Sequence, residues 1–472
     1  MGSAPDPLAI ALSWRARLLW TIGAVASFHL AYGVPVCSLP LATVFFVGLL
    51  QLSRSVSRRV VIYNGLLVGL SIYGPQLFFF WSIFRQGAIV LWLVLASWLV
   101  VYLLLQQLAR QKYGALVGTL SAPMWWLAVE YFRSELYPLR FSWLNTGYLS
   151  PSLSGLFGMY GAGFFLMLVA AGIAIVWTRL GWMPTGLLGL GVVAIITGAP
   201  ILSAFHTPRP GGRLTVAGVQ FEEGSTSMIV QALDKLWGAH PEASVFVLSE
   251  YSFDDEVPAE VREWCALRQR WLVAGGKHYL DPGKVRYRNT AFVIGPEGRE
   301  VFQQAKSRPI QFFDDGLPAE GQAVWSSPWG DIGLCICYDL SYTRVTDELI
   351  RRGAQMIIVP TMDVEGWGER EHRLHARVAP VRAAECGVPI FRLCSSGISQ
   401  VVNAGGHVQA SAPFPGQGET LVGTFNLRGS AAVPLDRTLA WSSMAVSAAV
   451  LLWSLWTAIL GRRKPNTSRQ SL

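Results

Sequence analysis

The chain has 472 residues, 52% of them hydrophobic and 14% charged, with 19 tryptophans, a balance that suits a chain partly dissolved in lipid. Its formal net charge of +8 is not a nucleic-acid signature, because the basic residues gather at the ends of apolar stretches, where membrane segments carry them. The six cysteines, Cys37, Cys265, Cys335, Cys337, Cys386 and Cys394, show no metal-type spacing; Cys335-Ile-Cys337 lacks the second pair that a zinc or redox site requires.

In chain order, Arg15 and Arg17 precede an apolar run with no small-residue cleavage site, which predicts a retained signal-anchor helix. From there to position 204 the sequence predicts seven membrane spans, each about 20 residues at full length. They fall near 18–35, 38–53, 60–82, 87–108, 114–132, 155–177 and 182–204, the second short and the fifth interrupted by Pro123. If every span crosses, Arg15, Arg17, Arg54, Arg58, Arg59, Arg110, Lys112 and Arg179 share one side. The positive-inside rule makes that side cytoplasmic. Glu130 and Arg133, three apart, predict an ion pair on one helix face near the membrane surface.

The stretch 207–212, rich in Pro and Gly, reads as a linker into a soluble domain. Strands are predicted at 214–220, 244–249, 271–274, 287–294, 301–306, 332–337, 356–360, 389–394 and 400–402, and helices at 227–238, 341–352 and 371–386, with Gly405-Gly406 as a hairpin turn. Two groups of strands with helices between them suggest a layered sandwich. A last span at 437–460 ends in Arg462, Arg463 and Lys464, so the C-terminus is expected in the cytoplasm and the soluble domain outside it. The expected boundaries are 1–206 for the N-terminal membrane domain, 213–430 for the extracytoplasmic domain, 437–461 for the last helix and 462–472 for a cytoplasmic tail.

Chemistry concentrates at three strand ends. The run 330–340 delivers Cys337 to a strand-to-helix junction, where the amides of the following helix are expected to lower its pKa and to bind an oxyanion. Taken alone, such a cysteine is a small core residue. Glu250 closes the run 244–250 and Lys306 closes 299–306, so a general base, a cation and a thiol converge, which is what attack on a carbonyl requires.

These three residues, in this order and spacing, resemble the Glu, Lys and Cys of the nitrilase, or carbon-nitrogen hydrolase, superfamily. The resemblance continues through His375, Arg382, Glu385, Gly387, Pro389, Arg392 and Gly397. The stretches 122–133 and 141–148, with a soluble domain set between membrane segments, resemble the superfamily's membrane-embedded branch, the apolipoprotein N-acyltransferases of the bacterial inner membrane. The resemblance implies a multi-pass α-helical membrane domain plus an α/β soluble domain folded as an α-β-β-α nitrilase-like sandwich. It also implies catalysis by Glu250, Lys306 and Cys337, a phospholipid acyl donor, a diacylglyceryl-modified lipoprotein acceptor, and neither metal nor soluble cofactor. Supporting candidates are Asp314, Tyr338, Asp339, Trp367 and Glu385. The sequence departs from the family where an acidic turn reads Gln311-Phe-Phe-Asp-Asp-Gly316 and a tryptophan loop reads Met362-Asp-Val-Glu-Gly-Trp367. Two other readings remain open at this point: a membrane-tethered amidase using the same triad, and a non-enzymatic transporter or receptor.

Overall fold

The computed structural model describes residues 8–181, 212–427 and 431–462, with side chains as far as 457. The predicted span at 182–204, most of the linker and the C-terminal tail lie outside them. The N-terminal part is a helical bundle: α1 (Trp14–Gly33), α2 (Ser38–Leu52), α3 (Arg58–Gln76), α4 (Phe80–Phe84), α5 (Gly87–Tyr113), α6 (Ala115–Leu120), α7 (Ala122–Tyr131), α8 (Pro151–Phe157) and α9 (Met159–Leu180). Among the described residues, four helical stretches are long and apolar enough to cross a membrane: Pro35–Leu52, Gly87–Tyr113, Met159–Leu180 and Asp436–Thr457. This is a membrane protein.

The fifth predicted span is not one helix. It breaks at Ser121, where Pro123 near the start of α7 cannot donate its missing amide to the preceding turn, and after Tyr131 it widens into a π-turn, Phe132–Leu136. The wider turn also undoes the predicted Glu130–Arg133 pair. A three-residue offset no longer spans one turn there, and Arg133 instead donates to the Phe141 carbonyl at 3.0 Å and to Asn145 Oδ1 at 2.6 Å.

The basic residues gather as expected at one end of the bundle. Arg54 donates to the Ile10 carbonyl at 2.8 Å, Arg110 to that of Leu8, and Lys112 to Ser454 Oγ at 3.2 Å. The soluble domain sits on the other end. It holds two six-stranded sheets. One runs in the order β12 (Thr420–Asn426), β1 (Arg213–Val219), β2 (Val245–Val247), β3 (Trp271–Tyr279), β4 (Tyr287–Ile294), β5 (Glu300–Ala305). The other runs β11 (Val408–Ala412), β10 (Ser399–Val402), β9 (Ile390–Cys394), β8 (Met356–Thr361), β7 (Gly330–Leu334), β6 (Val324–Ser327). Side-chain alternation explains the layering: Val216, Val245 and Val273 meet Ile332, Met356, Ile358 and Leu393 between the sheets. On the outer faces, α10 (Thr226–Ala239) and α11 (Ala259–Arg268) cover the first sheet, and α12 (Thr343–Arg351), α13 (Glu369–His375) and α14 (Val378–Cys386) lie on the side of the second. The result is the expected α-β-β-α sandwich. Its second helical layer is continuous with the core of the bundle, because Leu349, Val359, Val378 and Val381 join the same apolar cluster as Phe45, Trp126 and Tyr160.

Polar contacts fix the two domains together. Glu135 of the π-turn accepts the Thr343 amide at 3.0 Å, capping the N-terminus of α12 with a negative charge. Glu385 on α14 accepts the Met159 amide at 2.9 Å and a 2.9 Å contact from Arg437 on the last helix, α15 (Asp436–Arg462).

Helices α3 and α5 approach through the small-residue pair Gly65 and Gly69, and a Cβ at Gly69 would stand 2.6 Å from Ala96 Cα. Gly69→Ala is therefore expected to lower the thermal midpoint of the detergent-solubilised protein by overpacking, at a cost of about 1–3 kcal/mol. Gly23→Ala, where a Cβ meets nothing within 4 Å, is expected to leave the midpoint unchanged or raise it; an equal loss in both would contradict the packing account.

Candidate active site

Glu250 lies three residues past the end of β2, in a turn made possible by Gly275: a Cβ there would stand 2.6 Å from Glu250 Cα. Lys306 directly follows β5. Cys337 opens a 3-10 turn, Cys337–Ser341, that leaves β7, with α12 beginning only at Thr343. Its backbone is left-handed at φ 50°, a conformation that costs a non-glycine residue and marks positions held for function. The turn is fastened from outside. Arg382 donates to the Leu340 carbonyl at 2.9 Å and to that of Ser341 at 2.8 Å, and Trp143 of the bundle donates to Ser341 Oγ at 2.8 Å.

The three predicted residues come together. Lys306 Nζ stands 2.8 Å from Glu250 Oε1, and Met362 bridges base and thiol: its amide donates to Glu250 Oε2 at 2.8 Å while its carbonyl stands 3.8 Å from Cys337 Sγ. A fourth group completes the cluster. Asp315 Oδ2 lies 2.7 Å from Lys306 Nζ, and Asn289 donates to both Glu250 (2.6 Å) and Asp315 (2.8 Å). The acid of this turn is thus Asp315, not the predicted Asp314. Asp314 is exposed, and its carbonyl accepts Tyr287 OH, whereas Asp315 is fixed by the Ile310 amide and Tyr251 OH.

Burial and charge set the protonation. Burial pushes Glu250 up, against Lys306 and with a further push from Asp315. Lys306 is disfavoured by burial, but the Glu250 and Asp315 carboxylates outweigh it and hold the ammonium well above its usual value. The same ammonium outweighs burial at Asp315 and keeps that carboxyl below its usual range. Cys337 corrects the sequence expectation: it is 2% exposed rather than open to a cleft, and burial followed by the Glu250 charge pushes the thiol well up, not down. The start of α12 is too far along the chain to reverse this.

The supporting candidates separate. Asp339 accepts the amides of Ser307 (3.0 Å) and Arg308 (2.7 Å), tying the strand end of Lys306 to the turn of Cys337; burial, resisted by Lys306 and these amides, leaves its carboxyl at about 6. Tyr338 and Trp367 line an apolar cavity of about 290 Å³ between the domains, walled on the bundle side by Phe80, Phe84, Phe141 and Trp143. Glu385 is not in the site; it belongs to the domain junction.

The sequence reading missed Asn289, Asp315 and Asp363; the last lies behind the thiol and joins two residues of the resemblance, accepting from His375 at 2.8 Å and Arg392 at 2.6 Å. An amide in the middle of the apolar strand β4 was the available signal for Asn289; which of two adjacent aspartates turns inward has none. Cys337, Asp363 and His375 lie within metal-ligand reach of one another, as do Asp363, Glu371 and His372. In both groups Asp363 is already paired with the Arg392 guanidinium at 2.6 Å, which offsets the charge a cation would use; His375, its pKa lowered to about 4 by burial, adds a hydrogen bond and no charge.

Comparison with known proteins agrees with this architecture. Residues 238–433 match the carbon-nitrogen hydrolase family model, and residues 10–172 match that of the apolipoprotein N-acyltransferase N-terminal domain. An apolipoprotein N-acyltransferase of Geobacter metallireducens is 21% identical over 79% of this chain and 83% of its own length; that of Azotobacter vinelandii is 25% identical over 73% and 74%. A deaminated glutathione amidase of Dictyostelium discoideum is 29% identical over 30% of this chain and 56% of its own. The sandwich with its Glu, Lys and Cys makes this a carbon-nitrogen hydrolase-fold protein joined to a membrane bundle. Within that class, matches to both parts in tandem, running through most of the chain, place it in the apolipoprotein N-acyltransferase family.

Asp315 contacts Lys306 and accepts from the Ile310 amide, Asn289 and Tyr251, and each such buried partner left unsatisfied costs about 1–3 kcal/mol. Asp315→Asn is therefore expected to destabilise the detergent-solubilised protein strongly in thermal unfolding, and Asp314→Asn to change it by about 0.5 kcal/mol or less. The reverse order would reassign the acid.

Proposed function

We propose that this protein moves a fatty acyl chain from a membrane phospholipid, through a thioester on Cys337, to the N-terminal amine of a diacylglyceryl-cysteine lipoprotein. The observation that carries the reading is the apolar cavity, which is shared between bundle and catalytic domain and whose wall includes Tyr338, the residue next to the thiol. A hydrolase of small soluble amides needs no such wall. A transferase of acyl chains does, since exposing each methylene to water costs about 0.8 kcal/mol.

In the first half-reaction Glu250 takes the thiol proton as Cys337 Sγ attacks the ester carbonyl carbon. Lys306 Nζ stabilises the tetrahedral oxyanion, and collapse expels the glycerol oxygen, which takes the proton back from Glu250 and leaves as lysophospholipid. In the second, Glu250 accepts a proton from the incoming amine as its nitrogen attacks the thioester. The C–S bond breaks, the thiolate regains a proton, and an amide remains. Because the resting thiol is protonated, the base must act in concert with attack. Asp315 and Asn289 hold Lys306 and Glu250 in place throughout.

The domain boundaries and orientation follow the same reading. The catalytic sandwich sits at the end of the bundle away from Arg54, Arg110 and Lys112, which supports an extracytoplasmic site with both termini in the cytoplasm of a bacterial inner membrane. A reporter active only in the cytoplasm, fused after Leu427, is expected to be silent; activity there would overturn the orientation.

The decisive experiment follows the acyl group. With labelled phospholipid and no acceptor, the wild-type protein is expected to accumulate acyl-Cys337 and lysophospholipid in amounts near the enzyme concentration, and Cys337→Ala none. A diacylglyceryl-cysteine peptide is expected to take up the label, and its N-acetylated form not to. Catalytic release of free fatty acid without acceptor would make water the second substrate and the protein a lipase-like hydrolase.

A further inference from the structure

The cavity between bundle and catalytic domain has one polar side. Arg140, in the loop that follows the π-turn, and Arg308, two residues beyond Lys306, both line it. Their guanidinium carbons stand 5.7 and 6.0 Å from the centre of the Tyr342 ring, which brings two positive charges from different domains to one spot. Among the described residues neither forms an ion pair. Arg140 makes a 3.3 Å contact to the Glu135 carbonyl, and Arg308 Nε is buried with no partner at all.

The neighbouring acids are spent elsewhere. Asp339 accepts the amides of Ile336, Ser307 and Arg308, and Glu135 accepts Thr343 N and Tyr160 OH. Glu371, also on the wall, has its carboxyl pushed well above the usual range by burial and by the Asp363 charge. Burial and the like charges of Arg140 and Arg344 keep Arg308 below its ordinary pKa, a strain that a bound anion relieves. Arg308 is half-buried, and leaving its buried Nε without a partner costs free energy that a bound anion returns.

We infer that Arg140 and Arg308 form the receptor for a phosphodiester, and that the phosphodiester is the one in the headgroup of the lipid acyl donor. The inference rests on the transferase reading and specifies its donor. Guanidinium groups are matched to phosphate oxygens in geometry and charge. The aromatic wall beside them takes apolar chains, which a free phosphate does not have. Arg308 lies two residues from Lys306, so their Cα atoms stand no more than about 7 Å apart, and a phosphate held by Arg308 belongs to the same molecule as an ester held at the oxyanion site. The phosphate thereby sets which carbonyl faces Cys337.

The test compares two donors with identical acyl chains in mixed micelles of the full-length enzyme, a phospholipid and a diacylglycerol, reading the rate of acyl-Cys337 formation at limiting donor. Wild type is expected to prefer the phospholipid by about tenfold or more. Arg140→Gln and Arg308→Gln are each expected to cut that ratio, and the double variant to bring it near one. A structural defect would slow both donors alike and leave the ratio standing, and that result overturns the inference. So does competition by glycerophosphate or inorganic phosphate at submillimolar concentration, which would assign the site to a soluble anion. A Cys337→Ala protein reads the same preference without chemistry, as labelled phospholipid against labelled diacylglycerol retained through detergent exchange. If wild type forms no acyl-enzyme from either donor, the transferase reading fails, while retention of phospholipid lost on the double substitution still upholds the phosphate site and its absence refutes it.

Discussion

Two carboxylates and one ammonium share a volume closed to water, and that imbalance governs the chemistry of the site. Lys306 touches both Glu250 and Asp315, and the two carboxylates hold its ammonium well above its usual value. One negative charge is left over, and it is expressed as upward pressure on Glu250 and on the Cys337 thiol. A free thiolate would be the stronger nucleophile. A protonated, buried thiol is the more durable one, and it attacks only when a carbonyl polarised by Lys306 is in position to receive the electron pair.

The cluster keeps its geometry because each member hangs from a different rigid element. Glu250 and Lys306 follow strands of the first sheet and Cys337 leaves a strand of the second, so the gap between sheets fixes their separation. The turn that carries the thiol is then pinned from the membrane side by Trp143 and from its own domain by Arg382. A soluble relative of the same fold has no bundle to supply the first of these contacts. Here the membrane domain is part of the site's framework as well as its anchor.

Much of this was legible in the sequence, for physical reasons. A strand that runs 287–294 in the sequence runs there in the structure, because an apolar run bounded by turns has few alternatives. The triad was legible because charged or reactive groups at strand ends are costly unless used. What escaped depended on tertiary context. The strands β6 and β11 carry polar or exposed positions and are defined by their pairing partners, not by their own pattern, whereas β12 alternates buried and exposed residues and was overlooked. The break between α13 and α14 falls inside a predicted single helix. The choice of Asp315 over Asp314 depends on a turn's register. The pKa of Cys337 was misjudged since a helix start is legible in sequence and the depth at which the thiol is buried, the larger effect, is not.

The junction at Arg437 has a bearing on synthesis. This residue begins the last helix, yet it contacts Asp347 and Glu385 in the catalytic domain, while its neighbour Asp436 accepts the amides of Tyr160 and Gly161 at the start of α9. The segments it joins leave the ribosome long before it does. The lock between bundle and sandwich therefore cannot close before this helix has been made, and a polypeptide lacking the helix is left without it. Full attachment of the acylating domain in this way waits on a segment synthesised after both of the parts that it joins.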